Sequence, residues 1–510
     1  MASDAGAAAA TFRTVIDVHA AAQPRAPFLI APEPRREIDY AALRAQCLSL
    51  AAWLAAQGIA PGSTVSFMLP NGVSAATVFL GAMYGGYVVS PINLLAQDAQ
   101  LEYTLAHSDT RLVFATADDC ARLEAIRERT GAAFAIRAVG VDGLELPDAP
   151  KVPPQRVSQG DPAMLMYTSG TTGRPKGALL SHGNMLAAGR AVAASLALGP
   201  ADRVLSSLPL YHINGQCIAT VAPLVSGGSI VMPHRFSVSQ WWLLVERHRP
   251  TWLNVVPTII AYLLNGPGLS AEQAEACRNV RFGRSASAPL PPAQHRAFEA
   301  RFGISVVEAM GLTECASVAF SNPLDIEARR YGSPGLPLCV EARVVDAAGK
   351  VLGAGERGEI ELRGDNVMLG YYKSPDATAQ ALRAGGWLAT GDLGYRDTDG
   401  YYFITGRLKE LIIKGGENIA PREIDEALLA HPAVLEAAAV GVPDDAYGQE
   451  ILACVVLKPG VECSEDDLRA HCLAELGRYK TPKRFRFVAE LPKGPSGKVQ
   501  RLKLLELPAG

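Results

Sequence analysis

A run of small and hydroxyl residues from Tyr167 to Gly177, YTSGTTGRPKG, is the stretch of the chain most suited to chemistry. It follows an apolar strand-like run, Ala163–Met166, and a helical pattern begins near His182. Small residues let backbone N–H groups approach a polyanion, while hydroxyl groups and one ammonium add donors and charge. We therefore predict that this loop binds an ATP triphosphate through Thr168, Ser169, Gly170, Thr171, Thr172, Gly173 and Lys176.

Three better-known loop motifs do not fit this stretch. A Walker loop requires G-x-x-x-x-G-K-[ST], but Pro175 stands where the second glycine belongs and Gly177 follows Lys176. Neither GxGxxG nor GxSxG occurs within Tyr167–Gly177, so a Rossmann site and a hydrolase nucleophile elbow have no support from this loop. A flexible Gly/Ser/Thr linker would have a similar composition, but the Pro-Lys-Gly ending disfavours it.

The loop resembles the phosphate loop of the adenylate-forming superfamily, which includes acyl-CoA synthetases, luciferases and peptide-synthetase adenylation domains. Further segments resemble family motifs in the family's order, so that the resemblance covers roughly residues 25–505. These segments are Ser207–His212 with Asn214 and Gly215, Ser285–Leu290, Glu308–Glu314, Trp387–Asp392, Gly406–Glu410, Lys414–Asn418 and Leu491–Lys498. The resemblance implies an enzyme that activates a carboxylic acid with ATP.

The same resemblance implies residues for each part of the nucleotide and for catalysis. They are Ser287, Ala288 and Pro289 beside the adenine, Met310 and Gly311 in the stacking element, Asp392 and Arg407 at the ribose, Thr313 at the α-phosphate, Glu314 on Mg²⁺, and Lys498 as the catalytic lysine. Met310 replaces the family's usual aromatic residue, so stacking on the adenine would be weaker or altered. A hard cation needs carboxylate and phosphate oxygens together, and one fixed charge beside the reacting groups is worth ~3 kcal/mol.

The last hundred residues would serve both half-reactions of such an enzyme. Lys409 matches the family's hinge, and a loop that would border the pantetheine tunnel of coenzyme A contains Lys414, Gly415, Gly416 and Glu417. Lys498 is needed when acyl-AMP forms, whereas the loop is needed when the CoA thiolate attacks. Both follow Lys409, so rotation about that hinge would present them in turn.

The acid is the least defined ligand in the sequence. Candidate pocket residues are His212, Asn214, Gln216, Asn254, Val256, Arg284, Met310 and Ser317. His212 either gates the space where acid, AMP and thiol meet or is a packed histidine near a strand end. Arg284 either forms a buried ion pair with Glu308 or recognises a second anionic group on the substrate. Fatty, aromatic, betaine-type and dicarboxylic acids all remain open.

The sequence therefore predicts an acid–CoA ligase that uses ATP, Mg²⁺ and coenzyme A. The chain includes no carrier domain, which disfavours an adenylation enzyme that loads a carrier protein. A luciferase-like oxygenase and a nucleotide-binding regulator without catalysis are two competing hypotheses. A thioester assay with free CoA tests the carrier-loading and luciferase-like alternatives, and absence of AMP formation across a broad acid panel would favour the regulator.

Composition restricts the partners and the compartment. Lys plus Arg number 48 and Asp plus Glu 51, which disfavours a protein built to coat nucleic acid.

Nine scattered cysteines without a CxxC pair indicate reduced thiols in the cytoplasm, and the N-terminus does not resemble a secretory signal. Proline and glycine interrupt the uncharged segment Val65–Gln97, so it predicts strand–helix–strand rather than a membrane span. A homodimer is left open.

These residues need a scaffold, and the apolar pattern predicts an α/β fold. Short apolar runs alternate with helical patterns up to about residue 335, which indicates parallel sheets covered by helices. We predict an N-terminal domain, 1–408, with α/β subdomains at about 1–155 and 156–335 and a small β-rich lobe at 336–408. A small, mobile C-terminal α+β domain would cover 409–510.

Overall fold

The computed structural model describes residues 11–150, 155–168, 175–493 and 499–507, apart from the side chain of Asn418. The α-helices in these residues are α1 (Phe12–Ala22), α2 (Tyr40–Ala56), α3 (Val73–Gly85), α4 (Asp98–His107), α5 (Ala117–Thr130), α6 (His182–Ser195), α7 (Ala222–Ser226), α8 (Val238–His248), α9 (Pro257–Leu264), α10 (Ala271–Cys277), α11 (Pro292–Phe302), α12 (Pro375–Ala381), α13 (Pro421–Ala430) and α14 (Glu465–Lys480). No helix of the described chain combines the length and the apolar character needed to cross a bilayer.

The β-strands are β1 (Pro27–Ala31), β2 (Arg36–Asp39), β3 (Thr64–Met68), β4 (Val88–Pro91), β5 (Leu112–Ala115), β6 (Ala135–Ala138), β7 (Pro162–Thr168), β8 (Lys176–Ser181), β9 (Arg203–Leu205), β10 (Ser229–Val231), β11 (Trp252–Val255), β12 (Phe282–Ser285), β13 (Val306–Met310), β14 (Phe320–Ser321), β15 (Leu336–Pro337), β16 (Glu341–Val345), β17 (Gly358–Arg363), β18 (Gly370–Tyr371), β19 (Leu382–Arg383), β20 (Trp387–Arg396), β21 (Tyr402–Arg407), β22 (Ile412–Lys414), β23 (Glu417–Ile419), β24 (Val434–Asp444), β25 (Gly448–Leu457) and β26 (Arg484–Phe487).

Two large sheets with parallel centres form the body of the molecule. The first has the order β18-β8-β7-β4-β3-β5-β6, and the second has the order β15-β14-β13-β12-β11-β9-β10-β1-β2. One continuous apolar core includes side chains of both sheets, such as Phe67 and Phe282. Helix α3 is buried along its whole length, because every residue from Val73 to Gly85 is apolar or small or carries a single hydroxyl. The predicted α/β class and the predicted strand–helix–strand structure of Val65–Gln97 are confirmed.

The two sheets take strands from interleaved parts of the chain. The hairpin β1–β2 belongs to the second sheet, whereas β7 and β8 belong to the first. The sheets therefore do not divide at residue 155, and the other predicted domain limits stay predictions.

A small antiparallel sheet, β16-β17-β20-β19 with β21 on β20, follows the two large sheets. The C-terminal part contains a third kind of sheet, β23-β22-β25-β24 with β26 on β25, and α13 and α14 pack on it. This arrangement agrees with the predicted β-rich lobe and small α+β domain.

Candidate active site

A cavity of about 550 Å³ opens where the carboxyl ends of central strands meet the small β lobe. Ligands in open α/β sheets bind at this edge, because the loops that follow the strands converge there. Of the residues predicted from the sequence, the cavity is lined by Thr168, Lys176, His212, Ser287, Gly311, Thr313, Glu314, Ser317, Arg407 and Lys409. Motifs separated by more than two hundred residues thus share one space.

Some predicted residues cannot be placed. Ser169, Gly170, Thr171, Thr172, Gly173 and Lys498 lie outside the described residues. Gln500, two residues after Lys498, lines the same cavity as Lys409. Met310 ends strand β13, and Ala288 and Pro289 lie in the turn between β12 and α11.

The turn after β13 requires glycine at one position, and its backbone is strained at others. A Cβ atom on Gly311 would lie 2.1 Å from the carbonyl of Ser317, so only glycine fits there. In this turn Ala316 and Ser317 have φ values of 49° and 70°, and in the turn after β12 Ser287 has a φ of 76°; all three lie in the left-handed region that such residues rarely adopt. Strain of this kind is found at binding sites, where the surrounding structure holds it.

Glu314 is held from the side by a tyrosine that the sequence analysis missed. The Tyr371 hydroxyl donates to Glu314 Oε1 at 2.8 Å, and the Lys176 ammonium lies 4.9 Å from the centre of the Tyr371 ring. Burial, followed by the charge of Glu314, raises the pKa of Tyr371, so the phenol stays protonated. A Gly-Tyr pair is too common a dipeptide to signal this role by itself.

Glu314 also suits a divalent cation that is bound with a nucleotide. In the described residues, no group of three or more His, Cys, Asp or Glu side chains could hold a metal ion alone. Glu314 lies on the wall of the cavity with Thr313 and Lys176. A cation there would complete its shell with phosphate oxygens and water, which is how Mg²⁺ usually binds.

The predicted ribose pair is preformed. Asp392 on β20 lies opposite Arg407 on β21, and Arg407 Nε donates to Asp392 Oδ1 at 2.7 Å. Asp392 is buried, and its Oδ2 has no hydrogen-bond partner among the described atoms. Gly391, with φ of 70°, allows the turn that brings Asp392 to this position, and Glu359 accepts its N–H. A buried carboxylate oxygen without a donor is suited to a ligand hydroxyl.

The predicted acyl residues divide between a second cavity and a buried polar chain. The second cavity, about 190 Å³, shares His212 and Ser287 with the first and is lined by Val256 and other apolar side chains. Asn254 Nδ2 donates to Asn214 Oδ1 at 3.0 Å, and Asn214 Nδ2 donates to Ser287 Oγ at 3.0 Å. This series of hydrogen-bonded side chains, Asn254–Asn214–Ser287, therefore connects the interior of the sheet to the wall of both cavities.

Two amides of the predicted pocket are only partly satisfied. Gln216 Nε2 donates to the Leu210 carbonyl at 2.6 Å, but Gln216 Oε1 and Asn254 Oδ1 have no described partner. Both side chains are fully buried. Unpaired buried polar atoms cost stability, so they mark places where a ligand or water completes the hydrogen bonding.

Of the two alternatives for Arg284, the ion pair with Glu308 does not form in the described structure. Arg284 is 1% exposed, and its side chain forms no hydrogen bond or salt bridge to any described residue; its Nη1 atom is buried without a partner. Burial lowers the pKa of Arg284 to about 10, so the guanidinium is still charged at neutral pH. Glu308 instead accepts the Leu290 N–H at 3.1 Å, and burial raises its pKa to about 7. Desolvation is the one cause of the Arg284 shift, whereas at Glu308 it outweighs the opposing effects of the Leu290 N–H and the Arg422 charge.

Arg284 lies beside the asparagine chain. It is paired in register with Asn254 on β11 and Val307 on β13, so the three side chains extend from the same face of the sheet. Asn254 is the inner end of the hydrogen-bonded series of side chains that reaches Ser287 at the cavity wall. The unpaired guanidinium of Arg284 and the unpaired acceptor Asn254 Oδ1 thus share one face.

The segment after Lys409 is fastened to the C-terminal sheet. Arg501 donates to Asp425 Oδ2 at 2.6 Å and to Glu410 Oε2 at 3.3 Å. Lys414 is buried in an ion pair with Glu450, with Nζ and Oε1 2.6 Å apart. The Gly415–Glu417 turn is exposed, so it is this part of the predicted loop that is open to a ligand.

Comparison with known families agrees with the geometry. The family model described as AMP-binding enzyme matches residues 16–372, and the model described as AMP-binding enzyme C-terminal domain matches residues 423–498. Sulfoacetate–CoA ligase of Cupriavidus necator is 58% identical over 504 residues, which is 97% of each chain. Oxalate–CoA ligase of Arabidopsis thaliana is 34% identical over 456 residues, 87% of this chain and 88% of the relative.

Two solved structures show the same architecture. ATP-bound MatB from Rhodopseudomonas palustris is 32% identical, with a TM-score of 0.89 over 98% of this chain and 99% of that one. o-Succinylbenzoate CoA synthetase from Bacillus subtilis, in complex with its acyl-adenylate intermediate, is 29% identical, with a TM-score of 0.85 over 97% and 98%.

Proposed function

The chain belongs to the AMP-binding enzymes and is an AMP-forming acid–CoA ligase, and we propose that its acid is a short carboxylic acid with a second anionic group. The unpaired Arg284 carries this proposal. A buried guanidinium without a counter-ion is costly, and a ligand anion would neutralise it. Sulfoacetate, the acid in the name of the 58% identical relative, has such a group one methylene from its carboxylate.

The reaction has two steps, and the enzyme uses ATP, Mg²⁺ and CoA. A carboxylate oxygen of the acid bonds to the α-phosphorus of ATP, and pyrophosphate leaves. The CoA thiolate then bonds to the acyl carbon, and the bond between that carbon and the AMP oxygen breaks. Because the carboxylate is already ionised, the first step depends on positioning and charge neutralisation.

We propose residue roles that follow the family resemblance and are supported by the geometry of the cavity. Lys176 and Thr313 would bind phosphate oxygens, Asp392 and Arg407 the ribose, and Glu314 the Mg²⁺ that, when bound, neutralises phosphate charge. Lys498 would act on the reacting carboxylate and α-phosphate, which is supported by the position of Gln500 in the cavity wall.

A panel of matched acids tests the proposed substrate. Pyrophosphate release and thioester formation with free CoA are measured for sulfoacetate, malonate, oxalate, propionate, benzoate and a betaine acid. We expect kcat/KM for sulfoacetate to exceed that for propionate by at least about 10²-fold, because propionate leaves the guanidinium unpaired. Propionate or a longer fatty acid that works as well as sulfoacetate would refute the proposal.

We further propose that the enzyme works in the cytoplasm, and a homodimer is the assembly to test. All nine cysteines are free, which supports a reducing compartment. Light scattering of the purified chain measures the assembly directly.

A further inference from the structure

Tyr371 contacts two charged residues that come from different motifs. Its hydroxyl donates to Glu314 Oε1 at 2.8 Å, and its ring faces the Lys176 ammonium at 4.9 Å. All three side chains line the large cavity. One side chain therefore lies between the carboxylate proposed for the cation and the ammonium proposed for the phosphates.

The backbone around Tyr371 is fixed by both motifs. Strand β18 pairs with β8, the strand that begins at Lys176, and the Tyr372 N–H donates to the Gly177 carbonyl at 2.8 Å. On the other side, the Met368 N–H donates to the Glu314 carbonyl at 2.8 Å. The Tyr371 N–H donates to Thr378 Oγ1 at 2.9 Å. Because separate bonds on both sides hold this short segment, the tyrosine can position its neighbours.

We propose that Tyr371 is a positioning residue of the adenylation site, whose hydroxyl orients Glu314 toward the divalent cation and whose ring places the Lys176 ammonium against the nucleotide phosphates. The inference rests on the proposed role of Glu314 and is independent of which acid is bound. A hydrogen bond to a carboxylate fixes its free lone pairs, and a ring face attracts an ammonium without neutralising it. The two parts of the side chain thus have separable effects.

The test measures ATP binding by calorimetry without acid, once in excess Mg²⁺ and once in EDTA. The ratio of the two Kd values reports the affinity gained through the cation, and no turnover is involved. In Tyr371→Phe, which keeps the ring, we expect this ratio to fall about tenfold while the Kd in EDTA stays unchanged. In Tyr371→Leu the Kd in EDTA should also rise about threefold, because Lys176 loses its aromatic contact.

Tyr372→Phe is the matched control, because its hydroxyl donates to Asp109 Oδ2 at 2.7 Å and does not contact Glu314. It should keep both wild-type Kd values. Glu314→Gln should lower the ratio at least as far as Tyr371→Phe, and this variant tests the site even if the tyrosine variants fold poorly.

A wild-type ratio in Tyr371→Phe, or an equal fall in Tyr372→Phe, would overturn the role of the hydroxyl. A full Mg²⁺ effect in Glu314→Gln would overturn the cation assignment itself. Equal Kd values in EDTA for the Phe and Leu variants would overturn the role of the ring. Failure of the proposed acid, by contrast, would leave all of these ratios unaffected.

Discussion

Replacing Arg284 with methionine should make the ligand-free enzyme more stable and, at the same time, a poorer ligase. Methionine has a similar length and can fill the same buried space without a charge. The guanidinium has no described partner, so no salt bridge is lost when it is removed. The acid, however, would lose the group that we propose binds its second anion.

The size of the effect follows from the burial of Arg284. Burial lowers its pKa from 12.5 to about 10, and a tenfold change in a proton equilibrium is about 1.4 kcal/mol. Holding the charge in the sheet therefore costs about 3 kcal/mol. Since nearby dipoles recover part of this cost in such sites, we expect Arg284→Met to raise the free energy of unfolding by about 1–3 kcal/mol.

Urea unfolding without substrates measures the stability, and acid-dependent pyrophosphate release measures the function. We expect kcat/KM for sulfoacetate to fall at least about 10²-fold and that for propionate to change little. Arg281→Met is the matched control, because Arg281 precedes the same strand, is 40% exposed and pairs with Asp202 at 2.8 Å. It should lose at most about 1 kcal/mol and keep wild-type kinetics. A destabilised Arg284→Met with unchanged kinetics would refute the reasoning, since Arg284 would then be structural.

Three further variants test separate parts of the site. Asp392→Asn should weaken AMP binding about 10–100-fold by calorimetry, because the amide replaces one acceptor oxygen with a donor. From pH 5 to pH 8, the free energy of unfolding of the wild type should fall by about 2 kcal/mol more than that of Glu308→Gln. Burial raises the Glu308 pKa from 4.5 to about 7, so the folded protein keeps a proton that the unfolded chain releases in this range; identical urea midpoint profiles would contradict this. Lys498→Ala should abolish acid-dependent pyrophosphate release and largely spare thioester formation from supplied acyl-AMP, and an equal loss of both would contradict the division of labour.

The motifs that could be recognised in the sequence are those in which neighbouring residues act together. Asp392 and Arg407 lie in local strand-and-turn patterns, and the structure places them opposite each other on β20 and β21. Short apolar runs such as Leu112–Ala115 and Ser229–Val231 form strands for the same reason. In each case the pattern of a few neighbouring residues is enough to predict the strand or the motif.

Features that depend on distant partners could not be predicted in this way. The hairpin β1–β2 joins the second sheet because β1 pairs with β10, about two hundred residues later, and composition does not report that pairing. Tyr371 acquires a role only because β18 lies beside β8. Arg284 could be interpreted as either an ion pair or an anion site, and the choice required the positions of every surrounding acid.

The unpaired state of Arg284 bears directly on selectivity. A pocket with a preformed salt bridge at Arg284 would have to break that pair before binding an anion, and it would accept apolar acids at little loss. In this protein the second anionic group of the acid would be the counter-ion of the Arg284 guanidinium. An acid without such a group leaves the cost of burying the guanidinium uncompensated. The same holds for Asn254 Oδ1 and Gln216 Oε1, whose missing donors disfavour a wholly apolar acyl group. Discrimination would therefore arise from what remains unsatisfied when the wrong acid binds, and it should appear in kcat/KM across the acid panel rather than in ATP affinity.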